Sequence, residues 1–127
     1  MKVLDTTFLI DFLKGKKETL KIIKSKEDLL TTQINMYEVI RGAFLRDNPS
    51  ELLKAEQLFE NIKVLQIDDD AVIRSADIFS DLVKNGKMVP DSDCMTAGTA
   101  LSKGVNKIVT RNKEHFKRMK GIKVETY

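Results

Sequence analysis

The chain has 127 residues and a formal net charge of +3, which suits one domain over residues 1–127 and leaves little room for two. Cys94 is the only cysteine and His115 the only histidine, which excludes an internal disulfide framework and argues against a zinc site of the Cys/His kind. The apolar runs are too short to span a membrane and an acid stands at position 5, which does not fit a secretory signal, so we expect a cytoplasmic protein.

The predicted elements alternate between strands and helices. In the first half we predict a strand over 2–5, a helix from Phe8 ending at Gly15, a Lys-rich helix over 17–26 and a strand over 29–31. Two helices follow: Thr32 caps the first, and Ser50 caps the second, which ends near Asn61. The first of these two carries an apolar face formed by Ile34, Tyr37, Ile40, Phe44 and Leu45. In the second half we predict a strand over 64–67, helices over 68–85 and 90–104, a strand over 107–110, a short helix over 113–118 and a last strand over 122–124.

This alternation indicates an α/β fold in which helices cover both faces of a parallel sheet. No internal repeat, linker or low-complexity segment interrupts the chain, so we treat it as one domain. In sheets of this kind, ligands bind beyond the carboxyl ends of the strands, near the point where the strand order reverses. The residues that follow each strand are therefore the ones to inspect for function.

Positive charge is concentrated at the end of the chain. From residue 101 onward there are eight Lys or Arg residues and two acids, whereas residues 31–100 hold twelve acids and seven bases. A basic end beside an acidic middle suits a metal site flanked by a surface that binds a polyanion. The alternative is a basic surface that is simply solvated.

Four acids stand where strands end or helices begin. Asp5 closes the first strand, and it is either a site residue or the cap of the following helix. Glu38 lies on an apolar helix, where it needs a cation or an ion pair with Arg41. Asp91 and Asp93 begin the small-residue helix, where capping is the alternative to catalysis.

Polar residues accompany these acids. Thr110, Arg111 and Asn112 follow the later strand, and Thr7 follows Asp5 by two positions. Thr7 and Asn112 can orient carboxylates or water around a metal, while ordinary turn and cap chemistry is the alternative for each residue singly. Arg111 and the nearby lysines are candidates for contacts with phosphates.

Taken together, the acids predict a metal site. Like charges about 4 Å apart in a partly buried site repel by roughly 4 kcal/mol, so such a cluster calls for cations or protons. Oxygen ligands without histidine or thiolate favour Mg²⁺ or Mn²⁺. Such an ion can activate water for attack on a phosphodiester.

The same residues resemble the motifs of the PIN-domain family, and they do so along nearly the whole chain and in the family's order. The resemblance is carried by Val3–Asp11 around the first acid, Met36–Gly42 around the second, Asp93–Leu101 around the third, and Ile108–Phe116 with its Thr-Arg-Asn turn. Length and layout look like the VapC-type toxins. Each motif is weak singly, but four in order are specific.

This resemblance implies a three-layer α/β/α sandwich with a mostly parallel central sheet and an endoribonuclease, hence a hydrolase, that depends on Mg²⁺ or Mn²⁺. It also implies a homodimer, and a cognate antitoxin that occupies the active-site groove, as in a type II toxin–antitoxin pair. By the same resemblance Asp5, Glu38 and Asp93 are the metal ligands. Many members carry a further acid where this chain has Asn112; either Asp91 supplies the fourth carboxylate or Asn112 acts through water.

Two other functions compete with a toxin. One is a housekeeping nuclease that processes RNA, and the other is a module that binds RNA or protein without catalysis. The position of Asn112 supports the inactive module, whereas the presence of Asp5, Glu38 and Asp93 argues against it.

Overall fold

The computed structural model describes all residues from 1 to 127 and shows a five-stranded parallel sheet with the order β3-β2-β1-β4-β5. The elements are β1 (Lys2–Leu4), α1 (Thr6–Leu13), α2 (Leu20–Ile23), β2 (Leu29–Thr32), α3 (Gln33–Leu45), α4 (Pro49–Glu60), β3 (Lys63–Leu65), α5 (Asp69–Lys84), α6 (Asp91–Ser102), β4 (Lys107–Val109), α7 (Lys113–Lys117) and β5 (Lys123–Glu125). The predicted α/β fold is confirmed.

The strand order reverses beside β1. From β1 the chain builds outward through β2 to β3, and it then returns to place β4 and β5 on the other side. Val3 is therefore paired with Leu30 on one side and with Ile108 on the other. Because ligands bind at such reversal points in open parallel sheets, the carboxyl ends of β1 and β4 are the place where a site is expected.

Helices cover both faces of the sheet, and each face has its own apolar core. Successive residues of a strand point to opposite faces, so Val3 and Ile108 enter one core while Leu4 and Val109 enter the other. The first core includes residues of α5, α6 and α7, and the second includes residues of α1 to α4. This arrangement confirms the three layers that the resemblance implied. None of the helices combines the length and apolar character needed to cross a membrane.

The two most closely packed helices, α5 and α6, meet at a glycine. A Cβ atom built on Gly98 would lie 2.2 Å from Ser75 Oγ and 2.6 Å from Ser75 N, well inside contact distance. The small-residue stretch of α6 therefore allows the close approach of the two helices. This packing holds the first turn of α6, and its acids, at a fixed position beside the sheet.

Two local predictions were wrong. The Lys-rich segment 17–26 forms only a 3₁₀ turn (Lys17–Thr19) and the single helical turn of α2, because a short helix without an extensive apolar face is marginal. Helix α4 is capped by Asn48, whose side chain accepts a hydrogen bond from Glu51 N at 3.2 Å, and Pro49 rather than Ser50 begins it.

Helix α3 turns its predicted apolar face outward. Its buried side chains are Asn35, Val39 and Ala43, whereas Phe44 and Leu45 of the apolar face are 63% and 78% exposed. The residues that pack against the rest of the molecule are thus smaller or more polar than the ones that face outward. The helix leaves an apolar surface of its own without a partner in the monomer.

Candidate active site

Asp5 lies at the carboxyl end of β1, where the strand order reverses, and caps α1. Its Oδ1 atom accepts hydrogen bonds from Phe8 N at 3.0 Å and from Thr7 Oγ1 at 2.7 Å, and its Oδ2 atom accepts one from Thr110 Oγ1. The residue is only 2% exposed. The structure thus shows Asp5 as the cap of α1, and the same buried carboxylate lies at the edge of the sheet where a ligand site is expected.

Glu38 is held by Thr6, the residue that follows Asp5. The Thr6 hydroxyl donates to Glu38 Oε1 at 2.6 Å, and Thr6 directly follows Asp5 in the chain. Arg41, the ion-pair partner considered from the sequence, lies 3.8 Å from Glu38 Oε2, and its side chain is about half exposed. The short contact of Glu38 is therefore made across elements, to α1, and the contact along its own helix is long.

The buried side-chain amide of Asn35 holds Thr6 in this position. Asn35 is 2% exposed, and its Nδ2 atom donates to Thr6 Oγ1 at 3.0 Å and to Thr96 Oγ1 at 3.2 Å. Its Oδ1 atom accepts from Thr32 Oγ1 at 2.6 Å. Thr6, Asn35 and Thr96 were not predicted from the sequence as parts of the site. The available signal was Asn35, a polar residue one turn before Glu38 on the same helix, because a buried amide must find partners.

Asp93 lies in the first turn of α6 and contacts His115 of α7. The distance from His115 Nδ1 to Asp93 Oδ2 is 2.7 Å. This contact joins residues 22 positions apart and was not predicted from the sequence, where His115 served only as an argument against zinc.

Asp91 is not brought to the other three acids. Residues two apart on a helix point about 200° apart, so Asp91 and Asp93 leave α6 on opposite sides. Asp91 is exposed and lines a groove between α5 and α6 beside Phe79 and Met95, and it makes no hydrogen bond to the other three acids. Its assignment as a ligand remains a prediction.

The acids influence one another electrostatically. Burial raises the pKa of Asp5 to about 6, although the hydrogen bonds from Thr110, Thr7 and Phe8 N act in the opposite direction, and the charge of Asp93 raises it further. Burial also raises the pKa of Asp93, with His115 opposing the change and the charge of Glu38 adding to it. Asp5, Glu38 and Asp93, from three separate segments, therefore share one region of negative potential.

The chemistry of these donors decides which metal the site could hold. No three His, Cys, Asp or Glu side chains converge closely enough to enclose an ion directly. The three acids nevertheless offer oxygen atoms only, and Asp93 Oδ1 accepts no hydrogen bond within the protein. This donor set fits a hard divalent cation of the magnesium kind, which binds through a few carboxylates and keeps several waters.

The predicted accessory residues lie around Asp5. Thr7 Oγ1 accepts from Arg111 N at 2.9 Å, and Thr110 Oγ1 accepts from Asn112 N at 2.8 Å. The turn after β4 is thereby fastened to the residues that hold Asp5. The side chain of Asn112 makes no capping bond at α7, although its backbone position is the N-cap.

The basic residues at the end of the chain are only partly free. Lys103 is paired with Asp68, and Lys107 with Glu27 at 3.1 Å. Arg111 NH1 lies 3.5 Å from Oδ1 of the buried Asp11. Lys113, Lys117, Lys120 and Lys123 have no carboxylate partner and are exposed. Arg118 is also exposed and donates only to the backbone carbonyls of Lys87 and Met88. The four lysines, Arg118 and Arg111 are thus the cations that remain to face a polyanion.

A groove of about 630 Å³ runs along the outer side of α3. It is lined by apolar side chains together with Gln33 and Arg41; the apolar ones are Met36, Tyr37, Ile40, Phe44 and Leu45. Arg41 also contacts Glu38, so this α3 groove borders the acidic site.

Comparison with known proteins agrees with this fold and with these motifs. The family model described as PIN domain matches residues 2–122. Ribonuclease VapC1 of Methanocaldococcus jannaschii is 30% identical over 125 residues, covering 98% of this chain and 85% of the relative. The tRNA(fMet)-specific endonuclease VapC of Salmonella typhimurium is 32% identical over 131 residues, covering 98% and 96%. The crystal structure of DNA-bound VapBC from Salmonella typhimurium aligns with a TM-score of 0.87 at 30% identity, over 98% of this chain and 96% of that one.

Proposed function

The chain belongs to the PIN-domain family, and on that premise we propose that it is a metal-dependent endoribonuclease, the toxin component of a toxin–antitoxin pair, which hydrolyses RNA phosphodiesters. The observation that carries this proposal is that the buried Asp5 lies at the reversal point of the sheet, with Glu38 hydrogen-bonded to the next residue, Thr6, and with Asp93 near enough for its charge to raise the pKa of Asp5. Proteins of this family are generally nucleases that need a divalent metal. Three partly buried carboxylates with few charged partners are consistent with that need.

We assign Asp5, Glu38 and Asp93 as the residues that hold Mg²⁺ or Mn²⁺. When bound, such a cation supplies a Lewis acid that lowers the pKa of water and offsets the charge that develops on the phosphate. The protein contributes the positions of the ligands: Thr7 and Thr110 hold Asp5, and Thr6 holds Glu38. We leave Asp91 out of this ligand set because it leaves α6 on the side opposite Asp93, and the Asp91→Asn variant tests that choice.

Substrate contacts are assigned to the turn after β4 and to α7. Arg111 projects from this turn with its side chain about half exposed, and its backbone is fixed by Thr7. Asn112 is the next residue, and its uncommitted side chain is available to RNA or to ordered water. We propose that Arg111 and the free lysines Lys113 and Lys117 contact phosphates, so that RNA affinity falls as salt rises.

We propose that a cognate antitoxin covers the α3 groove. The relative from Salmonella typhimurium was crystallised as a VapBC complex, and the groove is apolar and borders Glu38 through Arg41. A segment seated there lies next to the acids and can block the approach of RNA. We also propose that the protein is a homodimer and that it acts in the cytoplasm. Light scattering of the purified protein tests the dimer.

The activity is tested by incubating the purified protein, free of any antitoxin, with total cellular RNA and with purified tRNA. Parallel reactions contain Mg²⁺, Mn²⁺ or EDTA. We expect discrete fragments with either metal and intact RNA with EDTA. A folded protein that cuts neither RNA with either metal would overturn the catalytic proposal and favour a binding module.

The toxin role needs a separate test in cells. We expect induced expression of the wild-type protein to arrest growth, and co-expression of the product of an adjacent small gene to restore it. Growth that continues at normal expression of an active enzyme would favour a housekeeping RNA-processing role instead.

A further inference from the structure

His115 is set against Asp93 by the fold. Its Nδ1 atom lies 2.7 Å from Asp93 Oδ2, so the contact joins α7 to the first turn of α6. The helix that carries the imidazole is itself anchored, because Phe116 and Met119 are buried in the core on that face of the sheet. The position of the ring therefore follows from the packing of its neighbours.

The contact uses one atom of each partner. A carboxylate can only accept, so the imidazole nitrogen that faces Asp93 Oδ2 carries the hydrogen, and a neutral ring suffices. Asp93 Oδ1 and His115 Nε2 have no hydrogen-bond partner in the protein. One carboxylate oxygen is thus held while the other stays available.

Stability alone is a weak reason for this pair. The side chains of His115 and Asp93 are 36% and 16% exposed, and pairs with this much access to solvent add little to stability. Asp93 also has a favourable place in the first turn of α6, whose dipole attracts negative charge without any help from His115. If Asp93 is a metal ligand, however, the contact with His115 can fix the orientation of its carboxylate.

We propose that His115 is a positioning residue for Asp93: its Nδ1–H group holds Oδ2 and thereby presents Oδ1 to a divalent cation shared with Asp5 and Glu38. The inference rests on the proposed function. Hydrogen bonds to ligating carboxylates fix their orientation, and their loss typically lowers metal affinity or activity by about tenfold to a hundredfold. In this chain the donor is the imidazole of His115 on α7, three residues beyond Asn112, and the carboxylate that it holds is that of Asp93.

The test compares three substitutions of His115 in the full chain, namely His115→Ala, His115→Asn and His115→Gln. The amide nitrogen of Asn lies near the place of the histidine Nδ1, and that of Gln lies near the place of Nε2. Mn²⁺ binding is measured by titration calorimetry, and RNA cleavage is measured in parallel. Glu114→Ala, at the exposed neighbouring position on α7, is the matched control, and melting temperatures confirm that each variant is folded.

We expect His115→Ala to weaken Mn²⁺ binding by about tenfold or more and His115→Asn to keep most of the wild-type affinity. His115→Gln should bind Mn²⁺ as weakly as His115→Ala. Glu114→Ala should bind it as tightly as wild type. Mn²⁺ affinity of His115→Ala within about twofold of wild type, in a protein that cleaves RNA, would overturn this inference alone. Restoration by Gln and not by Asn would also overturn it, since Nε2 would then be the acting atom. A wild-type protein that neither binds Mn²⁺ nor cleaves RNA would overturn the proposed function as well.

Discussion

Tyr127, the last residue of the chain, donates its phenolic hydrogen to Asp11 Oδ2 at 2.6 Å. The two residues are 116 positions apart, and the Tyr127 ring packs edge-on against Phe8 with 4.9 Å between ring centroids. Burial by itself would raise the pKa of Asp11, but the hydrogen bond from Tyr127, together with Lys16 and Arg111, holds it below its ordinary value. The end of the chain thus stabilises a buried charge on α1, the helix that Asp5 caps.

Tyr127→Phe should therefore destabilise the protein. Phe keeps the edge contact with Phe8 but removes a hydrogen bond to a charged and buried acceptor, which costs about 1–2 kcal/mol when other cations remain nearby. Urea unfolding measures the loss. Tyr37→Phe is the matched control, because Tyr37 is 55% exposed and donates no hydrogen bond in the protein. Equal stability of the two variants would contradict the role given to Tyr127.

Two glycines predict opposite effects of the same substitution. Gly98→Ala places a Cβ atom against the backbone of Ser75, which cannot move without separating α5 from α6, so we expect a loss of about 1–3 kcal/mol. Gly42→Ala meets only the flexible end of Arg46 at 3.2 Å, and alanine favours the helix, so we expect a gain of up to about 1 kcal/mol. Thermal unfolding of both variants measures the difference. If Gly98→Ala were as stable as wild type, the close packing of α5 on α6 would be wrong.

Asp5 predicts a specific pH dependence of stability in metal-free buffer. Its pKa is raised in the folded protein, from 3.8 to about 6, so the folded state binds the proton more tightly than the unfolded state does. The contribution of this group to stability is full below about pH 4 and is lost as the pH rises through about 6. Relative to Asp5→Asn, which does not titrate, the wild type should lose up to about 3 kcal/mol between about pH 4 and about pH 8.

The measurement is urea unfolding of both proteins in EDTA across this pH range. Changes common to the two proteins, including those from Asp11, cancel in the difference. A difference that does not vary with pH, or that varies in the opposite direction, would contradict the raised pKa of Asp5.

Metal should stabilise the folded protein through Asp93 and not through Asp91. A ligand that binds only the folded state adds about 2.7 kcal/mol at a hundredfold excess over its Kd. We expect Mn²⁺ to raise the melting temperature of wild type and of Asp91→Asn, and to leave Asp93→Asn unchanged. A lost response in Asp91→Asn would instead support Asp91 as the fourth ligand.

The sequence predicted the alternation of strands and helices, and the edge of the sheet where Asp5 and Thr110 meet, because both depend on local patterns. Apolar strands end in Asp5 and Thr110, and parallel strands bring their carboxyl ends to one edge. Glu38 lies within the predicted helix α3, and Asp93 lies in the first turn of the predicted helix α6. These features need only the order of elements and the rule for where such sheets bind ligands.

The remaining features depend on contacts between distant segments. Asn35 joins Thr6 and Thr96, which lie 29 and 61 positions away, and no periodicity indicates such a network. The apolar face of α3 was visible in the sequence, but its direction was not. Periodicity reports that a face such as that of Phe44 is apolar, and it does not tell whether the core or another chain covers it.

The central claim is tested most directly by the RNA cleavage rate of matched acid variants under single-turnover conditions with Mn²⁺. If Asp5, Glu38 and Asp93 form the catalytic site, Glu38→Gln and Asp93→Asn should each lose more than about a hundredfold in rate, while Asp91→Asn stays within about tenfold of wild type. Cleavage by folded Asp93→Asn at the wild-type rate would contradict the account.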